Sequence, residues 1–166
     1  DIELTKSAEV AVTIIGGNTC WNSSMGYYYY PKDQAPTKLE DMNVILIFPN
    51  TQNGTYAGSK DYIGAANGDC VQLLYYPNIA FGSKEGATTT FPANYKIGFV
   101  LAANAWSGRM PNWQQDRKQR SATSSNMSKD YLGKAYSKPM SAVYNIDGQV
   151  LVSFEDDNNY DHNYSD

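Results

Sequence analysis

Ala142-Val143-Tyr144-Asn145-Ile146-Asp147-Gly148-Gln149-Val150-Leu151-Val152-Ser153-Phe154 is the stretch that decides the fold. Asp147-Gly148 is strong short-range hairpin chemistry, because two-residue hairpin turns need positive φ. On its far side Val150, Val152 and Phe154 alternate, which gives a strand one apolar face. Working outward, Ile97 to Ala103 and Val71 to Tyr76 read as two more strands. Val44-Ile45-Leu46-Ile47-Phe48 is a continuous apolar run stopped by Pro49-Asn50, the pattern of a strand buried on both faces. Tyr27 to Tyr30 is a strand stopped by Pro31, with alternate rings expected in the core and at the surface. Val10-Ala11-Val12-Thr13-Ile14 alternates and ends in Gly16-Gly17-Asn18.

Helix signals are scarce. Thr37-Lys38-Leu39-Glu40 has capping-box spacing, with room for one or two turns before the Val44 strand. The run Gln114–Arg120 suits a short surface helix but has no apolar stripe to dock. About seven strands separated by turn signals indicate an all-β, antiparallel β-sandwich of jelly-roll type rather than a βαβ sheet. Two long polar stretches, Asn50–Asp69 and Ser107–Lys138, are expected as loops, and the second holds most of the basic residues.

The totals agree with one domain over 1–166. A chain of 166 residues supports one well-buried core, and two domains would be cramped. Hydrophobic residues at 42% with only 18% charged exclude a disordered composition. The rest of the surface is Gly, Tyr, Asn, Ser and Thr, which suits an extracellular or cell-surface β protein. A net charge of −4 argues against a nucleic-acid partner, since phosphate neutralisation needs a Lys/Arg surplus. No run of 18 apolar residues exists for membrane insertion. The opening Asp1-Ile2-Glu3 fits a mature secreted product. Cys20 and Cys70 either form a disulfide, worth on the order of 4 kcal/mol in loop entropy, or remain two buried thiols. Four sequons, at Asn22, Asn53, Asn126 and Asn163, carry little weight in a chain so rich in Asn, Ser and Thr.

The acidic stretch Glu155–Asp166 is the candidate metal site. Glu155, Asp156, Asp157, Asp161 and Asp166 supply carboxylates, and Asn159 and Asn163 add amide oxygens. Calcium takes six to eight such oxygens at about 2.3–2.6 Å. Asp157-x-Asn159-x-Asp161-x-Asn163 has the alternate spacing that lets a tight loop converge them. His162 stands where an EF-hand loop has its turn glycine, and no distal bidentate Glu follows. The competing reading is a solvated acidic tail.

Three segments in order resemble the LruC-type domain of bacterial surface proteins. They are Gly26–Pro31 leading through Pro36-Thr37 to Ile47–Asn50, then Phe91-Pro92-Ala93 with Ile97–Trp106, and finally Phe154-Glu155-Asp156 with Asp161–Asp166. The resemblance covers about residues 20–166. Asp161, Tyr164 and Asp166 match the family's last element, whereas Asn163 replaces an Asp and Ser165 an Asn. Both replacements keep an oxygen at lower charge, which implies a weaker calcium site. The resemblance implies a β-sandwich of surface or secreted proteins and names no ligand. The family's closing strand is missing after Asp166, so an open sheet edge able to accept another chain's strand is expected.

Little supports an enzyme. His162 is the single histidine, and no phosphate loop, zinc spacing or dinucleotide fingerprint occurs. A non-enzymatic binding or adhesion module is the reading, its partner a glycan or a surface protein. Trp106 and Trp113 flank a polar loop holding Arg109 and Asn112, so rings could stack on sugar faces while the polar groups bond hydroxyls. The competing reading packs both tryptophans inward. The alternative class is a structural subunit of a surface fibre or adhesin that self-assembles by strand exchange at an open sheet edge.

Overall fold

The structure, a computed structural model, describes residues 1–17, 21–52, 64–109, 113, 119–124, 127–129, 134 and 140–155. Its centre is two long antiparallel strands, β4 (Ser24–Pro31) and β8 (Tyr95–Ala102), paired over eight residues from Ser24↔Ala102 to Pro31↔Tyr95. β5 (Ile45–Phe48) extends the sheet beyond β4, and β1 (Ile2–Leu4) and β9 (Arg120–Ala122) share the far edge of β8. Three two-stranded pieces form the layer above. They are β2 (Ala8–Glu9) with β7 (Thr90–Phe91), β3 (Ala11–Thr13) with β6 (Cys70–Gln72), and the hairpin β10 (Ser141–Ile146) with β11 (Gln149–Phe154). The protein is an all-β sandwich, and its helical elements among the described residues are short 3-10 turns, Leu39–Asp41 and Ile79–Phe81 among them.

The expected strands form, and the Asp147-Gly148 turn has φ of 49° and 81°, the pair of positive values a type I′ hairpin turn requires. Val71–Tyr76 is shorter than expected: its ladder ends at Gln72, and Tyr75 then bridges to Thr88. The tyrosine run departs from the half-exposed strand its alternation suggested. Tyr27 and Tyr29 point into a core with Ile97, Phe99, Leu101, Phe91, Leu73 and Phe154. Tyr28 points the other way, into a second core with Val100, Leu39, Met42, Trp113 and Met127, and is fully buried. Loop residues cover that second face, so no strand periodicity could announce the cover.

Aromatic rings need partners for their hydroxyls when buried. Tyr27 Oη donates to the Leu74 carbonyl at 2.6 Å and accepts from the Leu74 N–H at 3.1 Å. Tyr29 Oη does the same at Tyr76, at 2.9 and 2.8 Å. Two core tyrosines thereby hold the irregular segment after β6 against the sheet. Glycine permits the closest approaches. A Cβ on Gly98 would lie 2.2 Å from Tyr28 Cζ, and one on Gly26 would lie 2.8 Å from the Ile45 carbonyl oxygen at the β4–β5 bulge.

Two local expectations are corrected. The capping box at Thr37 does not form: Lys38 occupies the cap of the 3-10 turn with no side-chain cap bond. Glu40 instead faces Lys129 Nζ at 2.9 Å and Arg120 Nη2 at 3.4 Å. The stretch Ser107–Lys138 is not simply a polar loop, because β9 lies in the sheet and Arg120 is buried. Charge neutralisation by Glu40, and a hydrogen bond from Arg120 Nη1 to the Trp113 carbonyl, make that burial tolerable.

Candidate functional site

The upper layer is interrupted, and the interruption is a concave feature among the described residues. An apolar groove of about 840 Å³ runs between β3 and β11, floored by Leu4, Met25, Phe48, Phe99 and Leu101. Each wall is a strand with one edge turned into the groove. Ile14 N–H bonds the Asp69 carbonyl and Leu73 N–H bonds the Val10 carbonyl, so Val10, Val12 and Ile14 direct their main chains at β6. Antiparallel alternation turns the main chains of Ala11 and Thr13 the other way, towards the groove. The same logic applies to the hairpin. Its two-residue turn makes Ile146↔Gln149 the closing hydrogen-bonded pair, followed by Tyr144↔Leu151 and Ala142↔Ser153. Val150 and Val152 therefore aim their N–H and C=O groups away from β10. Both Val150 and Val152 line the groove, as do Ala11 and Thr13.

The rim is apolar as well. Ile15 and Ile146 line the groove yet remain 69% and 55% exposed. Glu9 is the groove's charged lining residue, and Glu9 Oε1 already accepts a bond from Thr89 Oγ1 at 2.5 Å. A neutral, extended, apolar segment is the chemistry that fits such a lining.

A second, smaller hollow of about 440 Å³ lies at the end of the sheet, lined by Pro49, Asn50, Asp69, Cys70 and Trp106 among others. Its walls are fixed by a buried polar knot. Ser24 Oγ donates to the Pro49 carbonyl at 2.7 Å, Asn50 Nδ2 donates to Asn22 Oδ1 at 3.0 Å, and Trp106 N–H donates to the Asn22 carbonyl at 2.9 Å. Asp69 Oδ2 accepts from the Ala66 N–H at 2.8 Å.

Around Glu40 the electrostatics are structural. Burial pushes its carboxyl up, but the Lys129 hydrogen bond and the charges of Lys129 and Arg120 outweigh this and hold it below the usual value. On the same face of the sheet the Asp1 carboxylate accepts from Tyr28 Oη at 3.0 Å, Tyr30 Oη at 2.7 Å and Thr123 Oγ1 at 2.6 Å. Each donor is uncharged, and neither cluster opens into a cavity named above.

Of the residues singled out in the sequence, Trp106, Arg109, Trp113, Cys70 and Glu155 are described. Trp106 is half-buried and lines the small hollow, and Arg109 is exposed. Trp113 is 4% exposed in the second core, so its ring offers no stacking face; the apolar surroundings of Val44, Leu46 and Tyr28 claim it. Asn112 lies outside the described residues, as do Cys20 and the calcium candidates Asp156, Asp157, Asn159, Asp161, Asn163 and Asp166. Cys70 is exposed opposite Thr13. Glu155 is buried at the end of β11, its N–H donating to the Met140 carbonyl at 2.9 Å and its carbonyl accepting from Ser121 Oγ at 3.1 Å. Among the described residues no three His, Cys, Asp or Glu side chains are grouped to hold a metal. No helix among them is long and apolar enough to cross a membrane.

What residue-by-residue reading missed is the groove itself. Val10–Ile14 and Val150–Phe154 are each legible as strands, but their facing edges belong to segments about 140 positions apart. No family model, curated protein or solved structure matches the chain. The likeness to the LruC-type domain rests on the quoted residues alone.

Proposed function

We propose that this chain is a non-enzymatic structural or adhesive module of an extracellular surface assembly, and that its groove receives an extended apolar segment of polypeptide as an added strand. The observation that carries this reading is the gap between β3 and β11. Two strand edges face one groove, over a hydrophobic floor, with main-chain donors and acceptors directed inwards from both sides. A strand laid there would bond Ala11 and Thr13 on one flank and Val150 and Val152 on the other. Its alternate side chains would complete the core above Met25 and Phe99. β11 is six residues long, so the guest strand would span about 20 Å. Strand addition of this kind draws affinity from the main chain and selectivity from alternate side-chain pockets.

Hydrogen exchange tests the proposal with end-capped nine-residue peptides that alternate Val or Ile with Thr. The amides of Ala11, Thr13, Val150 and Val152 should exchange quickly in the protein alone and slow on peptide addition. Val12→Lys, which places a charge at the groove wall, should remove the protection. If no peptide of the panel slows those amides at millimolar concentration, the reading is wrong.

A second reading has its own support. Trp106 and Asp69 bring a ring and a carboxylate to one hollow, a combination that suits a sugar. A glycan array separates the two, since a groove for polypeptide should give no glycan signal and Trp106→Ala should erase one that is present. Calcium, held by Glu155–Asp166, belongs to either reading as a structural ion.

A further inference from the structure

Beyond the groove, the geometry points to a second contact of a different kind: we propose that the outer edge of β10 pairs antiparallel with β10 of a second copy, on a two-fold axis through Val143. Natural edge strands are commonly protected by charge, proline, a bulge or a cover. This hairpin has six consecutive pairs with no register shift, and neither Ser141–Ile146 nor Gln149–Phe154 contains a charged residue or proline. β1, by contrast, carries Glu3 within 4.0 Å of Lys32 and 3.8 Å of Lys96.

Both faces of the hairpin are mainly apolar. Register puts Val143, Val150, Val152 and Phe154 with Ser141 and Asn145 on one face, and Ala142, Tyr144, Ile146 and Leu151 with Gln149 and Ser153 on the other. A hairpin with one face in water ordinarily alternates apolar with polar. Here Val143, Tyr144 and Ile146 remain 41%, 52% and 55% exposed.

A second copy is the occupant because the edge is complementary to itself. Ala142, Tyr144 and Ile146 already spend their main-chain bonds on β11, so Ser141, Val143 and Asn145 direct theirs to an edge that no described strand pairs, while Ser141 Oγ donates to the Ala122 carbonyl at 2.7 Å. A two-fold axis at Val143 sets Val143 against its own copy, and Ser141 against Asn145. It also sets small Ala142 against the large ring of Tyr144 on both sides of the axis. Centring on Tyr144 instead would oppose the two rings, and would leave Ala142 against Ile146. No charge is buried in the Val143 register, and the two hairpins become one four-stranded sheet.

The contact is isologous and closes at a dimer. Sedimentation of the full chain from micromolar to about 1 mM should give a monomer–dimer equilibrium. Val143→Lys, at an exposed position and with unchanged circular dichroism, should return the monomer. The register has its own readout. In a Cys20→Ser/Cys70→Ser background, Val143→Cys should form an intermolecular disulfide on mild oxidation, because facing Cα atoms of a hydrogen-bonded antiparallel pair lie about 5.5 Å apart. Asn145→Cys should not, since its copy would sit four positions along the partner strand. A strictly monomeric protein at 1 mM overturns the proposal. So does a dimer that Val143→Lys leaves intact, or one that cross-links through position 145 and not 143. These variants leave the groove wall untouched, so their failure and that of the groove reading are distinguishable.

Discussion

Adding one methyl group at Gly98 puts the central packing of the sheet to the test. Gly98 pairs directly with Tyr28 across β4 and β8, and the Tyr28 ring lies over the position a Cβ would occupy. In Gly98→Ala that Cβ would meet Cζ at 2.2 Å, Oη at 2.3 Å and Cε2 at 2.4 Å. Ordinary carbon contacts are about 3.5–4.0 Å, so the ring must move by more than 1 Å. It has little room, being fully buried and stacked at 6.3 Å on Tyr30. Overpacking of this severity costs about 3 kcal/mol, and losing the Tyr28–Asp1 hydrogen bond adds about 1.5 kcal/mol. Replacing glycine within a strand returns about 1 kcal/mol of backbone entropy. The net is about 3–4 kcal/mol, a large part of a domain's usual 5–15 kcal/mol. Urea unfolding followed by tryptophan fluorescence should show the midpoint falling by about 1.5–2 M at a slope near 2 kcal/mol/M. The decisive comparison is Gly98→Ala in a Tyr28→Leu background, where no ring overlies the site and the added methyl should cost under about 1 kcal/mol. Equal costs in both backgrounds would refute the reasoning, as would a cost under 1 kcal/mol in the wild-type background.

Tyr29→Phe should lose about 1–2 kcal/mol by urea unfolding, because both the N–H and the C=O of Tyr76 lose their partner. Alkali should unfold the protein over a defined window. Burial pushes Tyr27 and Tyr28 up to about 12, and Tyr29 higher still, against about 10 in the unfolded chain. Folding therefore favours the neutral phenols, and that stabilisation is complete below pH 10 and lost as pH rises from 10 towards 12. Absorbance at about 295 nm should show a late group of tyrosines ionising together with the loss of circular dichroism. Millimolar calcium should raise the melting temperature of chelator-treated protein through Glu155–Asp166, and an unchanged melting curve would count against that site.

Much of the sandwich is legible from short-range chemistry. Asp147-Gly148 and the alternation of Val150, Val152 and Phe154 specify a hairpin without reference to the rest of the chain. Val44–Phe48 reads as doubly buried, and its two sets of side chains do divide between the cores, Val44 and Leu46 on one face and Ile45 on the other. Where the cover of a face is not itself a strand, the reading fails. Tyr28 is buried by Leu39, Met42, Trp113 and Met127, which come from loops and a 3-10 turn with no period. Arg120 looks like a solvated loop residue because its neutralising partner, Glu40, lies 80 positions away.

The same limit explains why the candidate sites are invisible in one dimension. A groove is defined by what is missing between two edges, and neither Val10–Ile14 nor Val150–Phe154 contains a residue that looks reactive. The polar side chains that invite functional readings, such as Arg109, do not line the groove. Instead, the apolar residues at the groove and hairpin remain incompletely covered. Val143 and Val150 are each 41% exposed, on the same hairpin face as buried Phe154. Apolar side chains that join a core at one end of a strand and meet water at the other mark a surface that a further strand would complete. That gradient along β11, from Phe154 to Val150, supports the proposed addition of a strand at the groove.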